Sequence, residues 1–192
     1  MELIKATADL GHYVQAYLDE ARSEWSVPTD HAAMDKVYAN NILNYRDAAV
    51  EAVASHALAA EGANSDIKSL GYALVMDSDT TIRVTIVPKS GFTGTFTAKV
   101  DGETATVTKI SKVKYAVDIP NVQAHELSKQ HTIEITTENG TITLTGSGLS
   151  FVKMLLVAYP NNETVQNAAI AIWRYSKFAD DVRGVSSEAN RK

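Results

Sequence analysis

The strongest constraint on this fold is a hydrophobic period that changes twice along the chain. Up to about residue 62 apolar side chains recur at three- and four-residue steps; between about 67 and 146 they recur at two-residue steps; from 147 the helical spacing returns. A helix aligns its apolar residues every 3.6 positions and a strand every second one, so no single element type accommodates all three stretches. The pattern predicts an α+β protein with helices at both ends of a central antiparallel β-region.

The first stripe, Leu10, Tyr13, Val14, Tyr17, Leu18 and Ala21, lies within Thr7 to Arg22. The stretch Glu24-Trp25-Ser26-Val27-Pro28 interrupts it, because proline lacks an amide donor and biases its predecessor away from helical angles. Thr29 or Asp30 can then cap a second helix, expected to run to about Ala60 on Met34, Val37, Tyr38, Ile42, Leu43, Tyr45, Ala49, Val53 and Ala57. The two helices read as a hairpin.

Beyond Gly62-Ala63-Asn64-Ser65-Asp66 the composition shifts from alanine to threonine, valine and isoleucine. Ile82, Val84 and Ile86 alternate with Arg83 and Thr85, and Val113, Tyr115, Val117 and Ile119 alternate with Lys114, Ala116 and Asp118, giving each strand one wet face. Asp101-Gly102 and Asn139-Gly140 separate alternating runs and readily adopt the positive φ angles of tight hairpins. Seven strands are expected, at Leu70 to Met76, Thr80 to Val87, Thr93 to Val100, Thr104 to Ile110, Val113 to Ile119, Thr132 to Thr137 and Thr141 to Thr145. That number suits one Ig-like β-sandwich.

Leu149, Val152, Met154, Leu155 and Leu156 mark a short apolar helix, and Val165, Ala168, Ala169, Ile172, Trp173, Tyr175 and Ala179 a longer one, with Asn161 or Asn162 as its cap. Stripes this apolar need cover, and the amino-terminal hairpin can supply it. The expected organisation is therefore 1–62 and 147–183 as one helical subdomain, 67–146 as the inserted sandwich, and 184–192 as a polar, frayed tail.

A net charge of -5 with 18 dispersed basic residues offers no positive field for nucleic acid, and no apolar run reaches the roughly 18 residues of a bilayer span. Without cysteine there are no disulfides, thiolate nucleophiles or thiolate metal ligands. Met1 to Ala6 lacks the pattern of a secretory signal, which leaves a cytoplasmic protein or a piece of a longer one.

The five histidines, at 12, 31, 56, 125 and 131, show no i, i+4 pair for a metal. His125-Glu126 has the residue types of a general-base pair but no nearby nucleophile, and Asp77-Ser78-Asp79 reads as a turn. Two acceptor patterns for glycosylation, Asn139-Gly140-Thr141 and Asn162-Glu163-Thr164, are better explained as a hairpin turn and a helix cap, and Gly91-Phe92-Thr93-Gly94 lacks the spacing and lysine of a phosphate loop. No catalytic residue, cofactor or metal is expected. The outward threonines, including Thr85, Thr95, Thr97, Thr106, Thr108 and Thr143, read as solvated strand surface. The residues singled out for ligand contact are aromatic: Trp25 in the inter-helix turn, and Tyr72, each a candidate platform for a sugar ring if exposed.

Four strings carry a resemblance that spans nearly the whole chain. Ile42-Leu43-Asn44-Tyr45-Arg46-Asp47-Ala48-Ala49 is similar to a Leu-Leu-Asn-Tyr-Gly-Ala-Ala-Ala helix, departing at Arg46 and Asp47. Gly71-Tyr72-Ala73-Leu74, followed by Asp79-Thr80-Thr81-Ile82-Arg83, is similar to a Gly-Ala-Ser-Leu first strand. Asp118-Ile119-Pro120-Asn121-Val122-Gln123-Ala124-His125-Glu126-Leu127 is similar to an Ile-Pro-Asn-Ile-x-Ala-x-x-Leu connector, and residues Ala171 to Ala179 to a closing Ala-Leu-Tyr-x-Tyr-x-x-Ala-Ala helix. Together they resemble a carboxyl-terminal domain of large secreted or cell-surface proteins of gut Firmicutes. The resemblance implies an accessory role outside the cell, with other modules of the same polypeptide or surface proteins as partners. The missing catalytic set makes that role non-catalytic, and the alternative is a carbohydrate-binding module resting on an exposed aromatic such as Trp25 or Tyr72.

Overall fold

A computed structural model describes residues 2–21, 42–76 and 79–189. Among these residues are four α-helices, α1 (Glu2–Ala21), α2 (Arg46–Ala52), α3 (Gly148–Ala158) and α4 (Glu163–Ala189), with 3-10 turns at Ile42–Tyr45 and Ala124–Glu126. Nine strands accompany them: β1 (Ala59–Asn64), β2 (Ile67–Met76), β3 (Thr80–Pro88), β4 (Thr97–Val100), β5 (Glu103–Ala105), β6 (Val107–Ser111), β7 (Lys114–Ile119), β8 (His131–Thr137) and β9 (Gly140–Gly146). The protein is thus α+β. It divides into two compact units, Met1–Ser55 with Val152–Lys192, and His56–Phe151.

The β-unit holds two antiparallel sheets, one in the order β1-β9-β8-β4-β5 and one in the order β2-β3-β7-β6. Two-residue alternation explains their buried faces: Ile133 and Ile135 on β8 are fully enclosed, while Thr132, Glu134 and Thr136 point the other way. Ile82, Val84 and Ile86 do the same on β3. The Phe96 ring, just before β4, meets the Tyr115 ring of β7 edge-on at 5.3 Å. Asp101 and Gly102, with φ of 52° and 87°, turn β4 into β5, and Asn139-Gly140 turns β8 into β9, as their sequences predict. Gly140 has φ of 134°, and a Cβ there would strike the Ala63 carbonyl of β1. Only glycine lets the two backbones approach this closely.

Several boundaries differ from the sequence expectation. The second helix stops at Ala52 rather than near Ala60, and Ala59–Asn64 instead pairs along β9 from Ala59↔Thr145 to Asn64↔Gly140. Alanine favours helix, but the β9 edge supplies a full ladder of partners, and Gly62 adopts a positive φ of 82° that breaks a helix. The expected strand over Thr104 to Ile110 divides in two: β5 pairs with β4 in one sheet and β6 with β7 in the other. The expected strand from Thr93 begins only at Thr97. Alternation also fails on β7, where Ala116 and Val117 are both buried, Ala116 lying between Thr85 and Thr108 on the neighbouring strands. Helix α4 continues past Gly184, where the sequence predicts the tail to begin, to Ala189. The inter-helix turn with Trp25, the caps Thr29 and Asp30, and the start of the second helix lie outside the described residues.

In the helical unit α1 packs along α4. Asp9 of α1 and Arg174 of α4 form an ion pair whose side chains are 1% and 5% exposed, and the guanidinium also lies 4.3 Å from the centre of the Tyr45 ring. Asn162 caps α4, its Oδ1 accepting from the Val165 amide at 3.0 Å. Buried Gln166 donates to the carbonyls of Leu156 and Tyr159, at 3.1 and 2.9 Å, and accepts from Arg46 Nε at 3.0 Å. It thereby bonds one carbonyl in the last turn of α3 and a second just beyond it, where Tyr159 also accepts from the Asn162 amide.

Candidate ligand cleft on the five-stranded sheet

Three segments distant in sequence meet at one end of the five-stranded sheet. The β1–β2 turn brings Asn64, which donates from Nδ2 to the Gly140 carbonyl at 2.7 Å and accepts at Oδ1 from the Asp66 amide at 3.0 Å, with Thr137 Oγ1 3.2 Å from the same oxygen. Asp66 is therefore fixed by its own backbone. Its carboxylate accepts from Thr137 Oγ1 at 2.7 Å and from Asn139 Nδ2 at 3.1 and 3.2 Å. The third segment is the β3–β4 connection. Gly91 takes a φ of 84°, and Phe92 folds back against Phe96 with ring centres 4.5 Å apart. A side chain at Gly94 would press on that ring, 2.9 Å from Phe92 Cε2.

Between them lies a cleft of about 640 Å³. Thr97 and Thr136, directly opposed on β4 and β8, contribute hydroxyls, and Thr136 Oγ1 is 2.8 Å from Thr141 Oγ1. Asp66 and Glu138 supply negative charge, and among the described residues lining the cleft none is cationic. The cleft can hydrogen-bond a polar ligand from several sides while repelling anions.

Tyr72 does not present the exposed ring expected of it. It is 7% exposed, burial pushes its hydroxyl pKa up, and the hydroxyl donates to the Ser147 carbonyl at 3.1 Å. Its phenol spans from β2 to the end of β9 as a core strut, because position 72 falls on the inward face of its strand. Trp25 lies outside the described residues. His125 and Glu126 occupy the 3-10 turn after β7, with His125 Nε2 4.0 Å from Glu126 Oε1, and neither lines the cleft. In that turn Gln123 and Glu126 form a capping box, and Val122 and Leu127 are buried. The connector string of the resemblance is thus a packing element.

His56 Nδ1 lies 3.1 Å from Ser147 Oγ, a distance that would suit a base and its nucleophile. Ser147 is fully enclosed, however, and its Oγ accepts from the Ser150 amide at 3.2 Å while Ser150 Oγ accepts from the Ser147 amide at 2.9 Å. This reciprocal pair caps α3. His131 Nδ1 donates to Asp101 Oδ2 at 2.8 Å, and the Thr132 amide donates to Oδ1 at 2.9 Å. Among the described residues no three His, Cys, Asp or Glu side chains are grouped to hold a metal.

Asp101 links this geometry to pH. Burial alone would raise its carboxyl pKa, but the Thr132 and His131 hydrogen bonds outweigh that and hold it below the usual carboxylate value. A depressed pKa means the folded state binds fewer protons, so this contribution is present above the unfolded carboxylate value, about 3.9, and fades as pH falls through the folded one. Asp101→Asn should therefore be less stable than the parent at neutral pH. The gap in urea midpoint should close under acid; a gap independent of pH would refute the assignment.

The cleft residues were not legible as a site. Asp66 falls in a stretch that reads as a junction, Asn139 in a turn, Thr95 and Thr97 on a solvated face, and Gly91-Phe92-Thr93-Gly94 registers only as a failed phosphate loop. The one available signal was the pair of glycines around Phe92, which marks a backbone bent for an aromatic ring. The chain matches no protein-family model, no curated protein and no solved structure.

Proposed function

We propose that this chain is a non-catalytic binding module whose His56–Phe151 unit, read as an Ig-like sandwich of its two sheets, presents the cleft for recognition. It serves as an accessory part of a secreted or surface-associated, multi-modular bacterial protein. The observation that carries the reading is the cleft itself: Asp66, Thr137 and Asn139 hold one another in place, which is the preorganisation that binding requires. Extracellular placement and association with neighbouring modules or surface proteins rest on the family resemblance of the four sequence strings.

Antibody detection in fractionated source cells tests it. The chain should be found in the medium or surface fraction, within a polypeptide longer than 192 residues. A free cytoplasmic protein of 20.8 kDa would overturn the accessory role.

A further inference from the structure

We propose that the cleft is a subsite for an uncharged carbohydrate, with the Phe92 ring carrying the C–H face of a pyranose and Asp66 and Asn139 hydrogen-bonding its hydroxyls. The inference rests on the binding-module reading and deepens it by naming the ligand class.

Sugar rings present an apolar C–H face and a rim of hydroxyls that both donate and accept. A site for them needs a fixed aromatic plane beside acceptors placed to take the protons of neighbouring hydroxyls. Phe92 meets the first need. Its ring is half-buried and backed by Phe96, which is itself held by Tyr115, and the absence of a side chain at Gly94 leaves room for it. Little rotamer freedom remains to be lost on binding.

The hydrogen-bonding wall meets the second need. The Asp66 carboxylate has about four acceptor sites and, among the described residues, its side-chain donors are Thr137 and Asn139, so it keeps acceptor capacity for a ligand hydroxyl, while Asn139 Oδ1 accepts from no described residue. Adjacent sugar hydroxyls can donate to Asp66 and to Asn139 Oδ1 together. The Thr97 and Thr136 hydroxyls extend the polar floor, and the volume lies within the range of about 300–1,000 Å³ common to small-molecule sites. Charge then selects among glycans: two carboxylates with no cation among the described lining residues disfavour sulfated, phosphorylated and sialylated sugars.

The test applies the purified chain to an array of neutral gluco-, galacto-, manno-, xylo- and chito-oligosaccharides beside sulfated and sialylated glycans, then titrates the strongest neutral binder by calorimetry and amide NMR. Binding to a neutral glycan is expected, with shifts clustered at Phe92, Thr97, Thr137 and Asn139. Phe92→Ala should weaken it by about tenfold or more. Thr97→Val, which keeps side-chain volume, should weaken it with the spectrum of the fold intact, and Thr143→Ala should leave it unchanged. Binding confined to charged glycans, no neutral binder, shifts elsewhere, or parental affinity in both cleft variants would each overturn the proposal. Surface location without glycan binding would defeat this inference alone, whereas glycan binding by a free cytoplasmic protein would defeat the accessory reading alone.

Discussion

Arg174→Met is expected to destabilise the helical unit by about 3–5 kcal/mol, because it leaves the Asp9 carboxylate enclosed without its counter-charge. Asp9 Oδ1 and Arg174 Nε already make no hydrogen bond to a described residue, so the pair holds little surplus to absorb the loss. The substitution also removes the guanidinium from the Tyr45 ring. Urea unfolding followed by the fluorescence of Trp173, which adjoins Arg174 on α4, would measure the cost. The double variant Asp9→Leu with Arg174→Met should recover most of the stability, since an apolar pair of suitable volume needs no compensation for lost hydration. A single variant costing under about 1 kcal/mol would show that the pair is hydrated after all.

Ile135→Ala should cost about 2–5 kcal/mol, the combined loss of burial and cavity formation at a fully enclosed position. Ile135 sits mid-sheet on β8, opposite Ala98 of β4 and Ile142 of β9, and neighbours held by two ladders have limited freedom to collapse into the space. Thr143→Ala, on the opposite face of the same sheet, should change stability by only about 0.5 kcal/mol. The contrast tests the period-two reading directly. Equal costs would mean that both faces are packed, and thermal or chemical unfolding of the two variants decides it.

Much of the β-unit was legible because its evidence is local. Ile82, Val84 and Ile86 announce a half-buried strand within a few residues, and Asp101-Gly102 and Asn139-Gly140 carry the backbone freedom their turns use. The cap at Asn162 was equally readable, since the residue that bonds the first turn of α4 directly precedes it. Where evidence is distant the reading failed. Ala59 and Ala60 read as the end of a helix and Gly62 to Asn64 as a junction, yet Ala59–Asn64 is a strand because β9, some eighty positions onward, offers it an edge. Tyr72 looked available to a ligand because nothing near it in sequence reveals the Ser147 carbonyl that receives its hydroxyl.

The sequence by itself determined the α+β class, the burial of alternate residues along β3 and β8, the two glycine hairpins and the absence of thiol chemistry. All of these follow from spacing and side-chain type within a short window. Only the tertiary structure decided which strands share a sheet, that Asp9 and Arg174 meet across 165 positions, and that Asp66, Phe92 and Asn139 border one cleft. Contacts of that kind depend on how elements pack rather than on how any one is patterned, and periodicity carries no record of them.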